Sequence, residues 1–206
     1  MVGNRKKLIN LPPPNFYNLF STSQFLIPKP MDIFAHALWT GAAAAGANKK
    51  IKRRKINIRW AIFWGVLPDF FAFTIPFIVL AIKVITGTVA PGDIPHPSAV
   101  EPADPPIARL FAYTRLLYSV SHSAIIFMVI FGIVFLLLRR PPIEMLGWLL
   151  HIIIDIPTHS YRLYPTPIFW PVSSWQFDGI SWVTPWFMIM NYGSLAVVYL
   201  LLYFRK

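Results

Sequence analysis

Residues 110–138 read LFAYTRLLYSVSHSAIIFMVIFGIVFLLL and are followed directly by Arg139 and Arg140. A helix needs about 20 predominantly apolar residues to cross the hydrocarbon core of a bilayer, so this stretch is long enough to cross with tilt. Because Lys and Arg are retained on the cytoplasmic side of a membrane, the two arginines mark the cytoplasmic end. The stretch therefore predicts a membrane-spanning helix, with His122 inside its apolar sequence.

The whole chain has the composition of a membrane protein. Of its 206 residues, 56% are hydrophobic and only 13% are charged, and the mean hydropathy is +0.54. Its 19 Lys and Arg residues outnumber 8 Asp and Glu residues, but they lie in short blocks, which suits membrane topology and argues against nucleic-acid binding. The absence of cysteine excludes disulfides, thiolate nucleophiles and cysteine-based metal sites.

Four further apolar segments lie at residues 33–47, 60–82, 143–156 and 180–204, although the first is short for a complete span. Basic residues recur at alternate segment ends, in residues 49–55, 139–140 and 205–206. We therefore predict an all-α, multi-pass transmembrane helical bundle of four to five membrane helices. We expect it in the cytoplasmic (inner) membrane, in contact with membrane lipid and with its C-terminus inside.

The chain divides into two predicted regions. Residues 1–30 are interrupted by three consecutive prolines at 12–14, so they predict an irregular N-terminal arm. Residues 31–206 form the predicted membrane-embedded helical domain. We expect either that Met31 is an alternative translation start or that the arm at residues 1–30 is dispensable.

Ionisable residues inside the apolar segments form the predicted functional site. Each costs about 2.5–3.5 kcal/mol to insert, so such groups usually face a bundle interior or a watery cavity. His151 and Asp155 are four residues apart on one predicted helix and therefore share a face. His159 follows four residues later as a possible further ligand. The predicted metal ligands are His36, Asp69, His122, His151, Asp155 and His159.

This combination of residue types favours a divalent metal ion. In the predicted topology, these ionisable side chains lie in the outward, extracytoplasmic half of the membrane. Imidazole and carboxylate ligands suit Zn²⁺ best, with Mn²⁺ or Fe²⁺ as alternatives. A metal-activated water would supply a nucleophile without Ser or Cys, so the predicted chemistry is hydrolysis.

Several other interpretations stay open at this point. His122 could form a hydrogen bond across helices, Asp69 could cap a helix broken at Pro68, and Asp155 could pair with Arg115 or Arg162. At the level of function, the alternatives are a metal-ion or proton transporter and a non-catalytic scaffold in which a metal staples the helices together.

The motifs resemble the YdjM-like family of inner-membrane-bound, LexA-binding, metal-dependent hydrolases, which is distantly similar to the zinc-dependent phospholipases C. The resemblance covers about residues 31–180. It rests on Met31-Asp32-x-x-x-His36, Pro68-Asp69, Ser121-His122-Ser123, His151-x-x-x-Asp155 with Thr158, and Trp170-Pro171. It implies a helical fold and a metal centre made by these His and Asp residues. It supplies no substrate, and a phosphoester or phospholipid is the substrate expected by analogy alone.

Two departures from the family pattern bear on the ligand set. Phe70 and Phe71 stand where many members have a further acidic residue after the Pro-Asp pair. Residues 117–119 read Leu-Tyr-Ser where many members have His-Arg-Gly. These differences argue against a centre of two or three ions, unless His159 compensates.

Overall fold

The computed structural model describes residues 33–52, 54–90, 105–161 and 164–204. Within these ranges the protein is all-helical and has no strand, which confirms the predicted all-α class. The predicted arm at residues 1–30, together with Met31 and Asp32, lies outside them. The helices are α1 (Ile33–Lys50), α2 (Ile58–Ile85), α3 (Pro105–Ser121), α4 (Ala124–Leu138), a 3-10 helix (Ile143–Met145), α5 (Leu146–Thr158) and α6 (Pro185–Phe204).

Helix α2 is the central element, because it packs against α1, α3 and α5. It begins after Asn57, whose side chain accepts hydrogen bonds from two backbone amides of the first turn. The helix runs through both Pro68 and Pro76, so the interpretation of a helix broken at Pro68 is wrong. A proline removes only one helical hydrogen bond, and packing against three neighbours offsets that loss. Asp69 is therefore in mid-helix and does not cap a helix start.

The predicted single helix over residues 110–138 is in fact two helices. Residues Ala112–Ser121 and Ala124–Leu138 are bent by 53° at His122 and Ser123. Ser123 has an extended backbone, and its Oγ accepts a hydrogen bond from the Ile126 amide at 3.2 Å, so it caps α4. The bend places His122 between two helices.

The loop before α6 satisfies the polar groups at this bend. The amide of Ala124 donates to the Ile168 carbonyl at 2.9 Å, and Ser123 Oγ donates to the Trp170 carbonyl at 2.5 Å. These contacts come from residues more than 40 positions away along the chain. A break in an apolar helix is tolerated where neighbouring protein supplies such partners.

Small residues allow α1, α2 and α5 to approach closely. A Cβ added to Gly147 of α5 would lie 2.3 Å from the Ala61 carbonyl of α2 and 3.0 Å from Thr40 Cγ2 of α1. A Cβ on Gly65 of α2 would lie 2.3 Å from Thr40 Oγ1. Close backbone contact through small residues is typical of helix packing in membranes. This contact brings together the three helices that carry most of the predicted ligands.

Two helices, α2 and α6, are long and apolar enough to cross a membrane, and the bent α3–α4 pair makes a third if it forms one span. Helix α5 has 13 residues and rises about 20 Å, less than the hydrocarbon thickness of about 30 Å. Many large apolar side chains are exposed on the helices. These features are consistent with a membrane protein.

Candidate metal centre

The structure brings all six predicted site residues into one cluster. His36 comes from α1, Asp69 from α2, His122 from the bend between α3 and α4, and His151 and Asp155 from α5. His159 is the first residue after α5. Asp69, His122, His151 and Asp155 are completely buried, whereas His36 and His159 retain 6% and 2% exposure.

The Asp155 carboxylate lies at the middle of the cluster. Its Oδ1 atom is 3.1 Å from His36 Nε2 and 3.5 Å from His159 Nδ1. Its Oδ2 atom is 3.2 Å from both His122 Nε2 and His151 Nε2. Asp155 thus faces four imidazoles. Arg162, one of the alternative partners predicted for Asp155, lies outside the residues that the structure describes.

Asp69 approaches the same imidazoles from α2. Its Oδ1 atom is 3.5 Å from His122 Nε2 and 3.7 Å from His151 Nε2. All four carboxylate oxygens of Asp69 and Asp155 are buried, and none of them makes a hydrogen bond of normal geometry. Buried carboxylates without such partners are costly, and a bound cation would satisfy them.

Backbone carbonyls orient the two innermost histidines. His151 Nδ1 is 2.7 Å from the Gly65 carbonyl oxygen, and His122 Nδ1 is 3.1 Å from that of Tyr118. Because a carbonyl oxygen only accepts, the Gly65 contact favours a proton on His151 Nδ1 and a free lone pair on its Nε2. His122 Nδ1 also lies 2.9 Å from the Ser121 hydroxyl, which can either donate or accept. Metal-binding histidines are typically held in this way by a hydrogen bond at the other ring nitrogen.

The Nε2 atoms of His122 and His151 lie only 3.0 Å apart. With both Nδ1 atoms protonated, two neutral rings would direct lone pairs at each other and at the nearby carboxylates. In that tautomer a metal ion or an additional proton would balance the two lone pairs, whereas a proton on His122 Nε2 would make the contact a hydrogen bond between the rings.

The spacing of the donor atoms fits a metal ion. With Zn–N distances of 2.0–2.1 Å, neighbouring donor atoms of a tetrahedral site lie about 3.3–3.4 Å apart. His122 Nε2 and His151 Nε2 are 3.0 Å apart, and each lies 3.2–3.7 Å from Asp155 Oδ2 and Asp69 Oδ1. Two sets of three residues have donor atoms within 4.8 Å of one another: His36, His151 and Asp155, and Asp69, His122 and His151. Buried His and Asp groups of this chain could therefore hold a metal ion.

His159 lies at the edge of the cluster. Burial lowers the pKa of the His159 imidazole below its ordinary value, against the opposing effect of the Asp155 carboxylate. A lowered pKa favours the neutral ring, which is the form that binds metals. Its Nε2 atom is buried and has no hydrogen-bond partner.

Residues outside the predicted ligand set support the cluster. The ring of Tyr118 stacks on His122 with centroids 3.7 Å apart, so Tyr118 holds His122 through both its ring and its carbonyl. Trp148 Nε1 donates to the Ser121 carbonyl at 2.6 Å and fixes the end of α3. The contact of Tyr118 with His122 could have been predicted from the sequence, because Tyr118 lies four residues before His122 and thus on the same helical face.

No protein-family model, curated protein or solved structure matches this chain. Its function is therefore inferred mainly from the geometry of the cluster.

Proposed function

We propose that this chain is a membrane-bound, metal-dependent hydrolase. The convergence of His122 Nε2 and His151 Nε2 on buried carboxylate oxygens that have no hydrogen-bond partner is the observation that carries the proposal, because such a set of donors could hold a metal ion. Zn²⁺ suits the mixture of imidazole and carboxylate donors best, and Mn²⁺ and Fe²⁺ are the alternatives. The residues that would hold the metal are His36, Asp69, His122, His151, Asp155 and His159.

Hydrolysis follows from the donor set and from the resemblance to the YdjM-like family. A divalent ion lowers the pKa of a bound water to about 7 and so supplies a nucleophile at neutral pH. A catalytic zinc site has three protein ligands and keeps one position open for water, and the proposal expects such an open position here. The substrate class that the resemblance suggests is a phosphoester or phospholipid.

The chain's own residues prepare the site for this chemistry. The carbonyls of Gly65 and Tyr118 hold the two inner imidazoles with Nε2 directed inward. Asp155 and Asp69 bring negative charge next to those nitrogens and favour a cation there. The surrounding helices exclude water from the fully buried donors, which strengthens each of these electrostatic interactions.

We further propose four to five membrane helices in the cytoplasmic membrane, with the centre toward the extracytoplasmic side. Helix α1 ends in Lys49 and Lys50, and α4 is followed by Arg139, which predicts cytoplasmic ends. By helical rise, His36 lies about 20 Å from Lys49, and His122 lies about 24 Å from the end of α4. The cluster is thus remote from the basic ends of both helices.

Metal content and hydrolysis of the purified protein test the proposal together. In detergent, the wild-type protein should retain Zn²⁺ or Mn²⁺ and hydrolyse a phosphodiester or phospholipid substrate. Asp155→Asn should lose both properties, while Asp178→Asn, at an exposed position, should keep them. A wild-type protein that binds neither metal after loading, or an Asp155→Asn variant with full activity, contradicts the proposal.

A metal-stapled scaffold is the second candidate, and the complete burial of four donors favours it. In a staple, every coordination position is filled by protein. Co²⁺-substituted protein distinguishes the two functions, because azide alters its visible spectrum only where a position is open. A spectrum unchanged by azide supports the scaffold.

A further inference from the structure

The basic residues of the chain are concentrated in two segments that connect helices. Residues 49–59, which join the end of α1 to the start of α2, contain seven Lys and Arg residues and no Asp or Glu. Arg139 and Arg140 follow α4 directly. We call the side chains of these two segments the basic face. Each of its basic side chains that the structure describes is exposed.

The two segments of the basic face are in contact. Arg54 Nη1 donates to the Pro141 carbonyl at 3.4 Å, and Arg54 Nη2 lies 3.3 Å from Glu144 Oε2. The backbone amide of Asn57 also donates to Glu144, at 3.4 Å. Glu144 is the only acidic residue in residues 49–59 and 139–144, so its carboxylate neutralises only one of the positive charges. The remaining charges repel one another unless anions bind beside them.

The start of α2 adds to this positive charge. Helix N-termini carry a partial positive charge, which acidic residues of the first turn commonly neutralise. The first turn of α2 has no acidic residue and instead carries Arg59. The charge of Arg59 and that of the helix end therefore have the same sign, and both attract an anion.

Exposed apolar side chains border both segments of the basic face. Leu137, which lies two residues before Arg139, is 76% exposed, and Trp60, which follows Arg59, is 56% exposed. A ligand at this face therefore meets cations and apolar side chains at adjacent positions. An anionic phospholipid matches both, because its phosphate pairs with cations and its acyl chains cover apolar side chains. A nucleic acid or an acidic peptide would use the charges and leave the apolar side chains uncovered.

We infer that the basic face binds anionic phospholipids of the surrounding bilayer. The headgroup phosphates contact the Lys and Arg side chains, and the acyl chains lie against the apolar ends of α4 and α2. Four to eight basic residues next to a membrane helix are typical of such binding. Arg139 and Arg140 suit the phosphate especially, because a guanidinium can donate two parallel hydrogen bonds to it. The inference concerns a different surface from the metal centre and does not depend on the proposed hydrolase function.

Binding of two lipids that differ only in headgroup tests the inference. Purified protein in detergent is titrated with anionic phosphatidylglycerol or with phosphatidylcholine of the same acyl chains, which has no net charge. Native mass spectrometry counts the bound lipid. We expect tighter binding of phosphatidylglycerol, and we expect salt to weaken this preference because it screens exposed charges. Equal binding of the two lipids, or a preference that salt leaves unchanged, overturns the inference.

Charge-removing variants place the binding on the basic face. Lys50, Lys52 and Arg140 are exposed, so the Lys50→Gln/Lys52→Gln/Arg140→Gln variant should keep the wild-type Tm. Each basic residue lost should weaken phosphatidylglycerol binding about fivefold, which corresponds to about 1 kcal/mol. The matched control is Lys83→Gln, because Lys83 lies about 36 Å from Arg59 along α2. A triple variant that keeps the wild-type affinity, or a control that loses as much per residue, overturns the inference.

A duplex oligonucleotide tests the competing class of partner. Added to wild-type protein in detergent, it should not displace phosphatidylglycerol from the basic face. Displacement of the lipid by the oligonucleotide would assign this face to nucleic acid and overturn the inference. The metal content of the triple variant should equal that of wild type, so failure of the lipid inference leaves the proposed metal-dependent function intact.

Discussion

The Nε2 atoms of His122 and His151 lie 3.0 Å apart in a fully buried site, although each ring's Nδ1 faces a backbone carbonyl. This pair joins the bend between α3 and α4 to the middle of α5. A metal ion bound at these nitrogens would hold the two elements together, so the proposed metal is expected to contribute to folding as well as to chemistry.

Removal of the metal should therefore destabilise the protein. At a free Zn²⁺ concentration of 100 times its Kd, binding stabilises the folded state by about 2.7 kcal/mol, and a chelator removes this contribution. Thermal unfolding in detergent measures the difference as a lower Tm in the chelator. Asp155→Asn should make the Tm insensitive to the chelator, while Asp178→Asn should not. An equal response in both variants contradicts a metal at Asp155.

Gly147→Ala should disturb the packing of α5 against α2. Its new Cβ would lie 2.3 Å from the Ala61 carbonyl, a backbone atom that cannot move aside alone. Forced shifts of this kind cost about 1–3 kcal/mol. The displaced α5 should also hold metal less tightly, because it carries two of the donors. Tm and metal content measure the two effects.

Gly132→Ala is the matched control, because a Cβ at this position of α4 has no neighbour within 4 Å. Alanine favours helix over glycine by up to about 1 kcal/mol, so this variant should be as stable as wild type or slightly more so. If Gly147→Ala and Gly132→Ala lower the Tm equally, close packing at Gly147 does not explain the loss of stability.

Ser123→Ala should loosen the bend that positions His122. The change removes the cap of α4 and the hydrogen bond to the Trp170 carbonyl. Loss of a helix cap costs about 1 kcal/mol, and the Trp170 carbonyl that loses its hydrogen bond adds to this cost. Calorimetry or thermal unfolding measures the loss. Ser194→Ala, at an exposed position on α6, should have no such effect.

Glu144→Gln should leave metal content unchanged. Glu144 pairs with Arg54 at 3.3 Å, and the Arg54 side chain is 42% exposed. Ion pairs of this kind contribute about 0–1 kcal/mol. A transporter that relayed protons through Glu144 should instead lose proton flux in proteoliposomes on this substitution. Such a loss would favour transport over hydrolysis.

The sequence was sufficient to predict the members of the cluster. Charged groups are costly in an apolar segment, and the four-residue spacing of His151 and Asp155 places them on one helical face. The helical class follows from the same apolar segments. The packing of the helices decides which imidazole lies next to which oxygen of Asp155. The spacing of residues along the sequence does not predict these contacts.

The sequence did not predict the bend at Ser123 or the continuity of α2. Residues 110–138 are apolar throughout, and the groups that stabilise the bend belong to the distant loop near Ile168. Proline rules are local and indicated a break in α2 at Pro68, but packing against three helices preserves the helix. Helix α6 begins at Pro185 rather than at residue 180, since proline is well suited to a first helical position.

Helix α6 contains no His, Asp or Glu, and it contacts α1 through bonds such as Trp39 Nε1 to Asn191 Oδ1 at 2.8 Å. Every candidate ligand precedes it in the chain. During synthesis, the full set of donors therefore emerges before the last helix does. The proposed metal could therefore bind to a partly synthesised chain, before α6 packs against α1.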